Sequence, residues 1–134
     1  GILVAEIQQV SDVTYRVYDW GREHDPSTAR EMHMDLAIDC IDYNSLIAES
    51  LLRLEGFCET PYFKIREQEI IEPLVKNSHL HDGFTLYFVT EGSMEVFTGK
   101  TMEKIGRGEV LMIPASLGEY RIIGKGKVLE ISCI

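Results

Sequence analysis

The stretch Phe84-Thr85-Leu86-Tyr87-Phe88-Val89-Thr90-Glu91-Gly92-Ser93-Met94-Glu95-Val96-Phe97-Thr98-Gly99-Lys100-Thr101-Met102-Glu103-Lys104-Ile105-Gly106-Arg107-Gly108-Glu109-Val110-Leu111-Met112-Ile113 is rich in β-branched and aromatic residues and is cut by glycine at short intervals. Such runs read as short strands joined by tight turns. Strands are predicted at 84–90, 93–98, 101–105 and 109–113. Turns are predicted at Glu91-Gly92, Gly99-Lys100 and Gly106-Arg107-Gly108. The same pattern continues outward, with strands at 62–71, 118–123 and 127–133 and a break at Gly124-Lys125-Gly126. Residues 57–134 are therefore expected to form a mainly β, antiparallel sandwich or barrel.

Upstream of residue 57 the composition changes. Met32, Leu36 and Cys40 recur every fourth residue, as do Met34 and Ile38, which predicts a helix over Thr28–Tyr43 capped by Ser27 or Thr28. Ile47, Leu51 and Leu54 form a second helical stripe within 46–54, ended by Gly56. Residues 23–56 thus read as a helical linker with one or two short helices. Residues 1–22 read as strands. Glu6, Gln8, Asp12, Thr14 and Arg16 alternate with Ile7, Val13, Tyr15 and Val17, which would put the two sets on opposite faces. Strand-like residues beginning directly at Gly1 are expected of the tail of a longer protein, and such strands would pair with a barrel or with a second copy of the chain.

Size and charge exclude several classes. A chain of 134 residues with 45% hydrophobic and 26% charged content suits one compact globular unit. No apolar run approaches the roughly 18 residues of a membrane span. The opening segment lacks a basic region and carries Glu6, unlike a signal peptide. A net charge of −9 repels phosphate backbones, so nucleic acid is not an expected partner. A sugar phosphate would need a local cationic pocket. Cys40, Cys58 and Cys133 are odd in number and widely spaced, as in a reducing cytoplasm.

Two groups of residues carry candidate chemistry. In the β region, His79 and His81 precede Gly92, and Gly108, Pro114 and Glu119 follow. Their spacing resembles the two cupin motifs, which implies a cupin-like antiparallel jelly-roll barrel. Thr85 stands where the first motif has Glu, and Glu119 where the second has His, so the ligand set is degenerate. His79, His81 and Glu119 could form a two-histidine, one-carboxylate metal face, because residues at i and i+2 of a strand point the same way. A purely structural barrel is the other reading, and no metal is expected on this chain.

At the N-terminus, Glu6-Ile7-Gln8-Gln9-Val10-Ser11-Asp12-Val13-Thr14-Tyr15-Arg16-Val17-Tyr18-Asp19-Trp20 and then Arg30-Glu31-Met32-His33 resemble the bacterial type I mannose-6-phosphate isomerases. The tail Gly108-Glu109-Val110-Leu111-Met112-Ile113-Pro114-Ala115 resembles their C-terminal end. The resemblance implies a zinc-dependent aldose–ketose isomerase acting on mannose 6-phosphate, with its zinc ligands upstream of Gly1 and its catalytic arginine at Arg16. By that resemblance residues 1–22 are the last strands of the catalytic cupin and 57–134 a second, degenerate cupin. Aldose–ketose isomerisation develops an oxyanion, which an arginine stabilises. Gln8, Asp12 and Thr14 suit hydroxyl recognition, or are simply the wet face of an edge strand. A non-catalytic cupin module that binds a sugar or a protein partner is the alternative function.

Overall fold

The computed structural model describes residues 4–41, 43, 57–80 and 82–133. The chain divides into two compact units, Gly1–Leu46 and Ile47–Ile134. Among the described residues the second unit holds seven strands: β1 Phe57–Glu59, β2 Phe63–Ile70, β3 Leu74–Asn77, β4 Thr85–Phe97, β5 Met102–Gly106, β6 Val110–Ile113 and β7 Glu119–Cys133. All their described pairings are antiparallel.

The two longest strands, β4 and β7, pair along almost their whole length, from Thr85↔Ser132 to Phe97↔Arg121. Each carries different neighbours on its two halves. The N-terminal half of β4 pairs β6 and its C-terminal half pairs β5. The C-terminal half of β7 pairs β2 and its N-terminal half pairs β3. One layer is thus β1-β2-β7-β4-β6 and the other β3-β7-β4-β5, joined through the long strands. Their inner faces share one core: Ile70, Tyr87, Val89, Ile113 and Val128 from the first layer meet Met94, Val96, Ile105, Tyr120 and Ile122 from the second. This is a mainly β, jelly-roll-type arrangement and not a closed barrel.

The breaks expected at Glu91-Gly92 and Gly124-Lys125-Gly126 are not turns. They lie inside continuous strands, with Gly92 opposite Gly126 and Met94 opposite Gly124. Glycine is needed for close approach: a Cβ on Gly92 would overlap the Lys125 carbonyl oxygen, and one on Gly126 the Glu91 carbonyl oxygen. A bulge at Thr90 accompanies them, since Val89 faces Val128 and Glu91 faces Lys127. The extra residue switches parity. Thr85, Tyr87 and Val89 point inward before it, and Met94 and Val96 after it. The predicted pairs 84–90/93–98 and 118–123/127–133 therefore merge into β4 and β7. The turns at Gly99-Lys100 and Gly106-Arg107-Gly108 do join separate strands. In the first, the Thr98 amide donates to the Thr101 carbonyl at 2.9 Å.

The first unit differs more from expectation. Described residues 4–20 form no strand, so the proposed alternation of Glu6, Gln8, Asp12, Thr14 and Arg16 has no strand face to act on. A strand requires a partner ladder, and no described pairing includes these residues. The helix expected over 28–43 is α1, Met34–Asp39. Ser27 does not cap it, because its amide and hydroxyl both donate to Asp25 Oδ1. The preceding turn is held instead by Arg30 reaching Asp19 and by the His33 amide donating to the Arg16 carbonyl at 2.8 Å. The stripe at 46–54 lies outside the described residues.

Gly126→Ala should destabilise the second unit by about 2 kcal/mol or more, because it adds a Cβ at a positive φ and against backbone. Gly99→Ala, which meets nothing within 4 Å, should be near neutral. Urea denaturation of both variants checks the contrast.

Candidate functional site

Three places carry the residues singled out by sequence. In the first unit, Arg16 is fixed by its neighbours. Its Nη1 donates to the Glu31 carbonyl at 2.9 Å, and its amide donates to His33 Nδ1 at 3.2 Å. His33 is thus tied by hydrogen bonds to the Arg16 backbone. Gln8, Asp12 and Thr14 are exposed.

The anchor of this unit is a residue that sequence reasoning passed over. Asp19 is fully buried. It accepts from Arg22 Nη2 at 2.8 Å and from Arg30 Nε at 3.1 Å, and it also pairs with Arg30 Nη2. The hydrogen bond from Arg30 lowers the Asp19 pKa first, burial opposes it, and the charges of Arg22, Arg30 and Arg16 add to the lowering. The signal was available in the sequence as an acid among three arginines, but not which of them would meet.

The second place is the degenerate motif. Ser78–Leu80 is a 3-10 turn, so His79 does not stand on the strand that the same-face argument assumed. His81 lies outside the described residues. His79 packs against Gly118, where a Cβ would sit 3.3 Å from its Nε2. Glu119 is exposed at the start of β7, paired in register with Asn77. Among the described residues no group of three or more His, Cys, Asp or Glu gathers to hold a metal.

The third place was not predicted. At the end of the inner face opposite the bend, polar side chains replace the apolar core. Lys76 on β3 crosses to the other layer and donates to both oxygens of Glu130, at 2.8 and 2.7 Å, and to Gln68 Oε1 at 3.3 Å. Tyr87 donates to Glu130 Oε1 at 3.0 Å, and its hydroxyl lies 2.9 Å from that of Tyr120. Burial, then the Tyr120 contact and the Glu130 charge, push the Tyr87 pKa far up, so it stays a neutral donor. A cavity of about 570 Å³ opens over this network, walled by Lys64, Arg66, Lys76, Glu119, Tyr120 and Glu130. No local motif marks it, since its residues come from β2, β3, β4 and β7.

A two-layered antiparallel sheet of this topology is of the cupin type. A family model described as "Mannose-6-phosphate isomerase, cupin domain" matches residues 54–132, and the chain belongs to that family. It is similar to the mannose-6-phosphate isomerase ManA of Bacillus subtilis, 27% identical over 132 residues that cover 92% of this chain and 41% of the relative. The mannose-6-phosphate isomerase of Streptococcus mutans is 26% identical, over 96% of this chain and 42% of the relative. The chain therefore spans about two-fifths of the length of the curated relatives it matches. Among solved structures, the mannose 6-phosphate isomerase of Bacillus subtilis superposes with a TM-score of 0.63 at 20% identity, over 90% of this chain and 40% of that one. A Neisseria meningitidis protein superposes with a TM-score of 0.53 at 14% identity, over 68% of this chain and 99% of that one. At these identities the superpositions show the fold.

Asp19 sets an acid limit for the first unit. Its folded pKa lies below the ordinary 3.8, so its contribution is present above pH 3.8 and is lost as pH falls through the lower folded value. Amide protection of Arg22 and His33, whose N–H groups donate to the Asp19 and Arg16 carbonyls, should fall in hydrogen exchange as the pH drops below 3.8, and Asp19→Asn should lack it already at neutral pH. Parent-like protection in Asp19→Asn would remove Asp19 as the anchor.

Proposed function

We propose that this chain is the C-terminal part of a zinc-dependent, cytoplasmic mannose-6-phosphate isomerase, which interconverts mannose 6-phosphate and fructose 6-phosphate by enediol proton transfer. One observation carries the reading: similarity to proteins of that name runs through both units, over 92% of the chain, yet covers only 41% of the relative. The three cysteines remain free thiols, in keeping with a reducing compartment. No described helix is long and apolar enough to cross a membrane.

In this reading the zinc ligands lie upstream. Zinc finds no seat among the described residues, and this chain's part in the reaction rests on its own side chains. Arg16 supplies the positive charge beside the developing oxyanion. Its guanidinium is pre-oriented by the Glu31 carbonyl, and two hydrogen bonds, His33 N–H to the Arg16 carbonyl and Arg16 N–H to His33 Nδ1, fix the segment that carries it. Gln8, Asp12 and Thr14 are proposed to meet sugar hydroxyls once the rest of the catalytic domain surrounds them. Residues 4–20 expose Val10, Val13, Val17, Tyr18 and Trp20, with Val10 98% exposed. This apolar segment is proposed to dock on the upstream part and, in its absence, to drive self-association of the chain.

The chain alone, given zinc and mannose 6-phosphate, should form no fructose 6-phosphate. Fused behind the N-terminal three-fifths of the Bacillus subtilis relative, it should turn over. Arg16→Ala in that fusion should lower kcat about 10²- to 10³-fold. Turnover by the chain alone, or full activity of the Arg16→Ala fusion, would refute the assignment. In sedimentation the chain should run larger than a monomer, and removal of residues 1–20 should restore the monomer. A monomeric parent chain would contradict the docking role of that segment.

A further inference from the structure

We infer that His33 is the positioning residue for Arg16, and that it holds Arg16 only as the neutral imidazole with its proton on Nε2. The inference rests on the reading of Arg16 as the catalytic arginine and adds the group that aims it.

Three residues of the run Arg30-Glu31-Met32-His33 converge on the stretch from Arg16 to Asp19. Arg30 Nε donates to the buried Asp19 at 3.1 Å. The Glu31 carbonyl accepts from Arg16 Nη1 at 2.9 Å. His33 meets the Arg16 backbone twice. Its own N–H donates to the Arg16 carbonyl at 2.8 Å, and its Nδ1 accepts the Arg16 N–H at 3.2 Å. The guanidinium and the main chain of Arg16 are therefore held by two residues that stand two apart. The backbone half of the His33 contact survives any side-chain change. The ring half does not, and without it the Arg16 amide is free to turn and the guanidinium loses its fixed stem.

The ring half also fixes the tautomer. A ring nitrogen that accepts from an amide carries no proton, so the single proton of a neutral imidazole sits on Nε2. Nε2 lies 3.8 Å from the Glu31 carboxylate, which favours a proton there, weakly because that carboxylate is exposed. The half-buried ring packs beside Tyr15, with centroids 6.4 Å apart. The charged groups of the surrounding elements are Glu31, Arg16 and, in the first turn of α1, Asp35. A proton added to Nδ1 would set one donor against another and leave the Arg16 N–H without its acceptor. It would also bring a positive charge toward that of Arg16. Arg16 is then released by a change made on His33 alone.

Kinetics of the zinc-loaded fusion, read beside Arg16→Ala, test this. At about pH 8, His33→Ala should lower kcat about tenfold and leave KM within about twofold, because the arginine acts on the developing oxyanion and not on the bound sugar. His33→Asn, whose side-chain oxygen can take the place of Nδ1 and takes up no proton, should recover most of that loss. Its kcat relative to the parent should rise at least about threefold as the pH falls from about 8 to about 5, the window in which a histidine changes charge. A merely structural histidine would give neither the rescue nor the changing ratio. In the chain itself, hydrogen exchange at the Arg16 amide should speed up in His33→Ala and stay parent-like in His33→Asn. The Arg22 amide, bound to the Asp19 carbonyl, should stay protected in both and so report a folded unit. Parent-like kcat in His33→Ala, with the large loss kept in Arg16→Ala, overturns this inference and leaves the isomerase reading standing. Parent-like kcat in Arg16→Ala removes both. No recovery in His33→Asn, a ratio constant with pH, or unchanged Arg16 exchange in His33→Ala would each overturn the inference as well.

Discussion

The close approach of β4 and β7 around Gly92, Gly124 and Gly126 is the constraint from which the rest of the second unit follows. Side chains there would collide with the opposing backbone. Without them, two strands of 13 and 15 residues run on through the bend instead of ending at it. The bulge at Thr90 then corrects the parity of β4, so that Tyr87 and Val89 on one side and Met94 and Val96 on the other all face the same core. A single-residue slip would have turned half of β4 inside out. Both layers are extensions of one strand pair, and their packing is a consequence of how that pair bends.

The polar cavity is the second consequence. Near the bend the layers are filled by apolar side chains. Farther out, β3 lies over β2 and β7 and brings Lys76 to Glu130, residues 54 apart in sequence. A half-buried lysine and carboxylate are costly to separate, so the pair ties the two layers and keeps the cavity walls apart at a set distance. The result is an ordered, hydrogen-bonded floor beneath the cavity. The first unit uses the same device on a smaller scale: Asp19 gathers Arg22 and Arg30 and so fixes the segment that bears Arg16.

How much of this was legible in the sequence depended on the range of the interaction. The mainly β class and the two-residue and three-residue turns after Phe97 and Ile105 were legible, because turn residues act locally. The glycines at 92, 124 and 126 were misread for a physical reason: a glycine demanded by a close backbone neighbour looks the same in sequence as one demanded by a turn. The apolar spacing of Met32, Leu36 and Cys40 overstated the helix, since the Asp19–Arg30 pair and the Arg16–His33 exchange, both long-range, hold residues 30–33 outside it. The histidine pair looked like ligands because a strand was assumed, and His79 stands in a 3-10 turn, Ser78–Leu80, instead. The cavity was illegible, as no two of its main polar residues are joined by a recognisable spacing.

Hydrogen exchange across the bend tests the central claim most directly. If β4 and β7 are continuous, the amides of Gly126, Val128 and Ile131, flanked by β2 and β4, should be among the slowest in the chain. Protection should continue through Gly92 and Gly124 without a gap. Exchange at Gly92 and Gly124–Gly126 as fast as that of the Gly99-Lys100 turn would mean separate strands joined by turns, and would contradict the account.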